Sequence, residues 1–251
     1  MSAHLLTAID DQVCTLTLNR PDKRNALNTG MIEALQAALE DIARRDDVRV
    51  VVVRGAGAAF CAGLDLRELA QQREAGEVET RRFEQVLETL ERCPQPTVAA
   101  VHGDAIAGGC ELALHCDLRV AADSARFTMP LARIGLAVPV ALTWKLVDTI
   151  GAAATKELLF TGEPVGTERA LALGLVNRVV AAGDLERTVA ALARQIADNA
   201  PLSIRAMKAF VQRARGRDDL EELFRQVRSS ADAREGLAAQ RERRTPTFRG
   251  K

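Results

Sequence analysis

The chain has no net charge: 34 basic residues are balanced by 34 acidic ones. It therefore lacks the global electrostatic pull toward nucleic acid or an anionic membrane that a strongly basic protein carries. It also lacks an apolar run long enough to span a bilayer, and its start, Met1-Ser2-Ala3-His4-Leu5, has no signal-peptide pattern. Neither nucleic acid nor membrane is expected as a partner. Five cysteines, an odd number, fit a disulfide framework poorly and a reducing compartment well, so cytoplasm is the expected location. Lysine is scarce, 5 of the 34 basic residues, and the rest are arginines, which leaves local anion sites open despite the neutral total. Cys110, His115 and Cys116 lack the paired spacing of metal ligands and fall in an apolar segment, so they read as core, and no metal site is expected. No long linker or low-complexity tract interrupts the chain.

What is present is a globular composition, 47% apolar and 27% charged, over 251 residues. That length supports one sizeable core, with or without a helical appendage. Val13 to Leu18 alternates as a half-buried strand does, and Val50 to Val53 reads as a fully buried one. Between them, Asn28 can cap a helix whose apolar positions are Met31, Ile32, Leu35, Leu39 and Ile42. A second cycle has a helix from about Thr80 to Arg92 and a strand at Thr97 to Val101. A third has the helical segment Cys110 to Cys116 and the strand Leu118 to Ala122. Stacked α/β units are the expected body, residues 1–182. Residues 183–251 read as helices: a stripe of Leu185, Val189, Leu192 and Ile196, a start at Pro201 followed by Leu202, Met207 and Phe210, and a capping box at Asp218 and Glu221 before Leu223, Phe224 and Val227. This tail either folds back on the body or packs against another subunit.

Two segments carry chemistry. In Gly103-Asp104-Ala105-Ile106-Ala107-Gly108-Gly109-Cys110-Glu111-Leu112-Ala113 a strand enters a glycine turn that opens into a helix, with Glu111 one turn inside. The first amides of a helix have no internal partners and attract anions, and glycine lets a substrate oxygen approach them. Phe60-Cys61-Ala62-Gly63-Leu64-Asp65-Leu66 follows the strand at Val50 in the same way. Two strand-end turns, each presenting an N–H, are what a two-donor oxyanion hole requires. Either glycine turn alone also has a packing explanation.

These two segments, with Asn19-Arg20-Pro21-Asp22-Lys23-Arg24-Asn25-Ala26-Leu27-Asn28, Thr161-Gly162-Glu163 and Ala170 to Asn177, resemble the crotonase superfamily, the enoyl-CoA hydratase/isomerase family. The resemblance implies an α/β fold, a spiral of ββα units with a C-terminal helical trimerisation region at 183–251. It also implies homotrimers or homohexamers and an acyl-CoA thioester substrate, with no cofactor beyond that coenzyme A. Carried over by position, the amides of Leu64 and Gly108 would bind the thioester oxygen and Glu111 would be the acid/base. Ala62, Gly63, Asp65, Leu66 and Gly109 would line the substrate and coenzyme A path, and Arg24, Asn25 and Ala26 would meet its nucleotide end. In Phe127 to Gly135 the second glutamate of the family's hydratases is replaced by Leu131, which lies on the substrate side but cannot move a proton. Efficient two-glutamate hydration is therefore not expected. Isomerisation, decarboxylation and acyl-CoA binding without catalysis stay open. Arg133 faces either the site, where it would hold a substrate carboxylate, or the surface. Phe60, Met129 and Trp144 either line an acyl pocket or, as the reading preferred for each, pack in the core.

Overall fold

Apolar runs of valine and alanine form the middle of a six-stranded sheet, because strands buried on both faces have no use for polar alternation. The structure is a computed structural model that describes residues 4–74, 80–212, 226, 230–242 and 244–251. Strands β1 (Leu5–Asp10) and β2 (Val13–Leu18) pair antiparallel. Helix α1 (Thr29–Ala43) follows, then β3 (Val50–Gly55), α2 (Leu66–Glu74), α3 (Thr80–Arg92), β4 (Thr97–Val101), β5 (Asp104–Ile106) and α4 (Gly108–His115). Next come β6 (Leu118–Ala122), β7 (Arg126–Thr128), a 3-10 turn at Pro130–Ile134, α5 (Val140–Thr161), β8 (Val165–Gly166), α6 (Thr167–Ala172) and β9 (Arg178–Val180). Helices α7 (Leu185–Ala197), α8 (Pro201–Val211) and α9 (Ala231–Glu242) complete the described elements.

The large sheet has the order β1-β2-β3-β4-β6-β9 and is parallel from β2 onward; a second sheet has the order β5-β7-β8. In the middle of the chain, β4 then β5 and β6 then β7 each place one strand in the large sheet and a short one in the small sheet before the chain runs into helix. Cys61 joins the small sheet by a single parallel bridge to Ala105. This is the expected spiral of ββα units.

Local expectations translate directly. β2 alternates between half-buried and buried positions, and Asn28 accepts the Met31 amide at 3.1 Å to cap α1. All five anticipated apolar positions of α1 are buried. One face of the large sheet packs on α1, α3 and α4. The other is covered by α7, whose Leu185, Val189, Leu192, Ala193 and Ala197 meet Val50, Val52, Val98, Ala100, Val120 and Ala122. So α7, which follows residue 182 in sequence, closes the body. α8 begins at Pro201 and is tied down by Lys208, whose Nζ lies 2.7 Å from Asp117. The box at Asp218 and Glu221, with Leu223, Phe224 and Val227, lies outside the described residues.

Phe60 and Met129 are buried in the core. Trp144 corrects the expectation: it is 61% exposed, because it occupies the outward face of α5 while Leu142 and Leu146 turn inward.

Candidate active site

The site is assembled by backbone. Cys61 donates its amide to Asp104 O at 3.1 Å, and its carbonyl accepts from Ile106 N at 2.9 Å. This sets the turn at residues 61–64 against residues 105–108. The approach is close enough that a Cβ on Gly109 would fall 2.1 Å from Cys61 O. Gly63 has φ +86°, and a Cβ there would lie 3.0 Å from Gly108 N. A Cβ on Gly108 would lie 3.4 Å from Leu64 N, so the two amides are neighbours across the seam. Neither donates to an acceptor among the described residues.

Ala107, just before α4, has φ 46° and ψ −116°, a conformation that costs a non-glycine residue about 1–3 kcal/mol. Its amide is bound to Thr128 O at 2.8 Å, so the strained turn is held from β7. The strain swings the chain so that α4 starts at Gly108, with the end of its dipole beside Leu64.

Glu111 sits one turn into α4 and is only 6% exposed. Its carboxyl oxygens accept no hydrogen bond from the described residues. Burial, and then the negative charge of Glu84 on α3, push its pKa up to about 7. Glu111 is therefore poised between acid and base at neutral pH. His115, one turn further on, points Nδ1 at Glu111 O at 2.8 Å, and burial together with the Lys145 charge lowers its pKa to about 4, leaving it neutral.

Most of the remaining predicted residues lie on the loop packed against this seam. Leu27 pairs with Leu64 by an isolated bridge, Leu27 N donating to Gly63 O at 2.8 Å and Asp65 N to Leu27 O at 2.9 Å. Asn25 is fully buried, and its side chain donates to the carbonyls of Ala56, Ala59 and Phe60 while accepting from Arg20 N. Its side chain is a structural knot. Arg24 is exposed with φ 49°, and its carbonyl accepts from the half-buried Ala62. Ala26 O accepts from Arg20 Nη1 at 2.6 Å, and the same nitrogen bonds Asp65 at 3.0 Å. Burial opposes ionisation of Asp65, but the bonds from Arg20 and the Arg67 amide outweigh it and hold its carboxyl below the usual range. Leu66 starts α2 with 63% of its surface exposed. A shallow cleft lies beside this loop, lined by Leu27, Ile32, Leu64, Leu69, Glu68 and Arg82 among others.

Leu131 is half-buried in the 3-10 turn that follows β7 and packs on the core. Arg133 is exposed and its Nε donates to Thr161 O at 2.9 Å, which places it at the C-terminal end of α5. Cys61, Cys110 and Cys116 are buried, and desolvation pushes each thiol up to about 12. No metal-binding cluster is found among the described residues. Three contributors escaped the sequence reading. Arg20 and the strain at Ala107 carry no signal in residue type. Glu84 is one of several glutamates on a polar helix face.

Comparison with known proteins follows the same lines. Residues 8–251 match the family described as Enoyl-CoA hydratase/isomerase. The 2,3-dehydroadipyl-CoA hydratase of Escherichia coli is 32% identical over 99% of this chain and 100% of its own. The short-chain-enoyl-CoA hydratase of Clostridium acetobutylicum is 34% identical over 81% of this chain and 79% of its own. Among solved structures, the enoyl-CoA hydratase from Bacillus anthracis superposes with a TM-score of 0.92 at 33% identity, covering 99% of this chain and 100% of that one.

Proposed function

Because the chain belongs to the enoyl-CoA hydratase/isomerase family and is an enzyme of that type, we propose that it transforms an acyl-CoA thioester through an enolate. The Leu64 and Gly108 amides stabilise the enolate oxygen, and Glu111 moves the proton. The observation that carries this reading is Glu111, a residue only 6% exposed whose carboxyl has no hydrogen-bond partner among the described residues, on the helix whose first amide adjoins that of Leu64. Negative charge builds on a thioester oxygen when a proton leaves the α-carbon or a nucleophile adds at the β-carbon. Two preorganised amides in a low-dielectric seam offset that charge, each donor contributing about 3–4 kcal/mol in comparable sites. No step is routed through a metal or redox cofactor. Coenzyme A enters as the carrier of the substrate.

The loop around Arg24, the main chain of Asn25 and Ala26, and the segment Ala62, Gly63, Asp65 and Leu66 receive the coenzyme A portion, with Gly109 allowing the two turns to close. Leu131 contributes an apolar wall where a second carboxylate would make an efficient hydratase. A single carboxyl fits proton shuttling, as in isomerisation, better than water addition. Arg133 is exposed and tied through Nε to Thr161 O at the end of α5, a position that favours the surface over the site. A cytoplasmic homotrimer or homohexamer completes the proposal.

The test is turnover of crotonyl-CoA, a 3-enoyl-CoA and methylmalonyl-CoA. At least one is expected to react, and Glu111→Gln lowers its rate by roughly 10²–10⁴. Tight acyl-CoA binding with no turnover of any would replace the enzyme reading by a binding protein.

A further inference from the structure

Helices α3 and α4 run side by side, and two contacts fix their register. At one end, a Cβ on Gly108 would lie 3.2 Å from the Phe83 ring. At the other, Glu91 Oε2 lies 3.8 Å from His115 Nε2. Phe83 to Glu91 and Gly108 to His115 are nearly equal lengths of helix, roughly 11–12 Å at 1.5 Å per residue, so the two helices are parallel. Glu84 and Glu91 are two turns apart on one side of α3; Glu111 and His115 are one turn apart on one side of α4. With Glu91 opposite His115, Glu84 falls opposite the first turn of α4, where Glu111 stands.

Glu84 is half-buried and makes no hydrogen bond or ion pair among the described residues. Its neighbours on α3 differ: Arg82 pairs with Glu33, Glu88 with Arg92, and Glu91 with Lys145 at 3.1 Å. Other groups facing Glu111 contribute little charge. Cys110 holds its proton and His115 is neutral. The Glu91 charge is offset by Lys145 of α5. Arg119 of β6 turns its guanidinium to the carbonyls at the far end of α4, and Asp104 of β5 lies before the turn.

We propose, resting on the function given above, that Glu84 is a positioning residue whose charge keeps the transferable proton on Glu111. In the proton-donating step the Glu111 O–H bond breaks and a C–H bond forms at the α-carbon. The electron pair for that bond comes from the enolate whose oxygen sits between the Leu64 and Gly108 amides. Glu111 is left as a carboxylate beside Glu84, and their repulsion favours capture of the next proton, the one that the next substrate molecule loses at carbon. Glu84 thus supplies, from α3, the second negative charge that Leu131 withholds, without touching substrate.

The experiment follows the Glu111 side-chain titration by carbon NMR in substrate-free protein, alongside the pH profile of turnover. Glu84→Gln is expected to move the Glu111 midpoint down by about half a pH unit or more, and the alkaline limb of the profile with it. Glu84→Asp retains most of the wild-type midpoint, and added salt narrows the gap between wild type and Glu84→Gln. An unmoved midpoint in a folded Glu84→Gln protein overturns the proposal whether or not a thioester is turned over. A moved midpoint supports the pair even if no thioester reacts, in which case the proposed function alone fails.

Discussion

Glu111 is expensive for the fold it serves, and pH exposes the cost. A carboxyl raised to about 7 by burial and by the Glu84 charge binds its proton more tightly folded than unfolded. Between about pH 5 and 7 the native state therefore holds more protons than the unfolded one, and stability falls as pH rises through that window. Above the window the loss is complete, on the order of 3 kcal/mol for a shift of this size. Glu111→Gln is predicted to remove this slope and to be more stable than wild type at pH 8, while losing turnover. Urea unfolding midpoints at pH 5 and pH 8 check it; equal slopes in both proteins would show that Glu111 is not the group responsible. The position of Glu111 at the start of a helix, and of the glycines beside it, was legible because backbone demands leave a mark in residue type. A helix that begins against another main chain needs glycine at Gly109, where any Cβ would meet Cys61 O. Glu84 was illegible for the opposite reason. Its meaning lies in the register of α3 against α4, which no single-chain pattern encodes.

α4 is a short element whose two ends are held by different devices. Its N-terminus is left with amides unpaired and is placed by the strained Ala107. Its C-terminus is closed by Arg119, only 7% exposed, whose Nη1 reaches the carbonyls of Ala113, Leu114 and Cys116 while Nε donates to Leu175 O at 2.7 Å. Burial lowers the Arg119 pKa, but four carbonyls replace the lost water, and the cation sits at the negative end of the helix dipole. Arg119→Met leaves those acceptors buried without donors. It is predicted to cost about 3 kcal/mol or more, read as a lower urea midpoint. A loss under about 1 kcal/mol would mean that water replaces the guanidinium. Strands β2, β3, β4 and β6, α1 and the start of α8 followed from periodicity and caps, since these are local. The Arg119 cap did not, because Leu175 and the end of α4 meet it only after three strands have been laid side by side.

At the scale of the molecule, the large sheet is covered on both faces by helices of its own chain, yet apolar side chains remain outside. Val140 and Trp144 are one turn apart on α5, 71% and 61% exposed, and Met207 and Val211 are one turn apart on α8, 51% and 82% exposed. Phe160 and Leu237 are exposed as well. Single exposed apolar residues are ordinary, but pairs repeated at helical spacing on two elements leave apolar stripes in water. Each fully covered side chain of this kind contributes about 1.5–3 kcal/mol. In the proposed trimer or hexamer, burial of such stripes between copies would take the exposed tryptophan of α5 out of water. The proposed trimer or hexamer predicts that Met207→Glu combined with Val211→Glu shifts the protein toward monomers in sedimentation velocity, with the far-UV circular dichroism of the body unchanged. These positions lie far from Glu111 in sequence and outside the α3–α4 seam, so the Glu111 titration should survive in the dissociated protein. An unaltered assembly in the double variant would show that α8 faces solvent and that the copies, if joined, meet elsewhere.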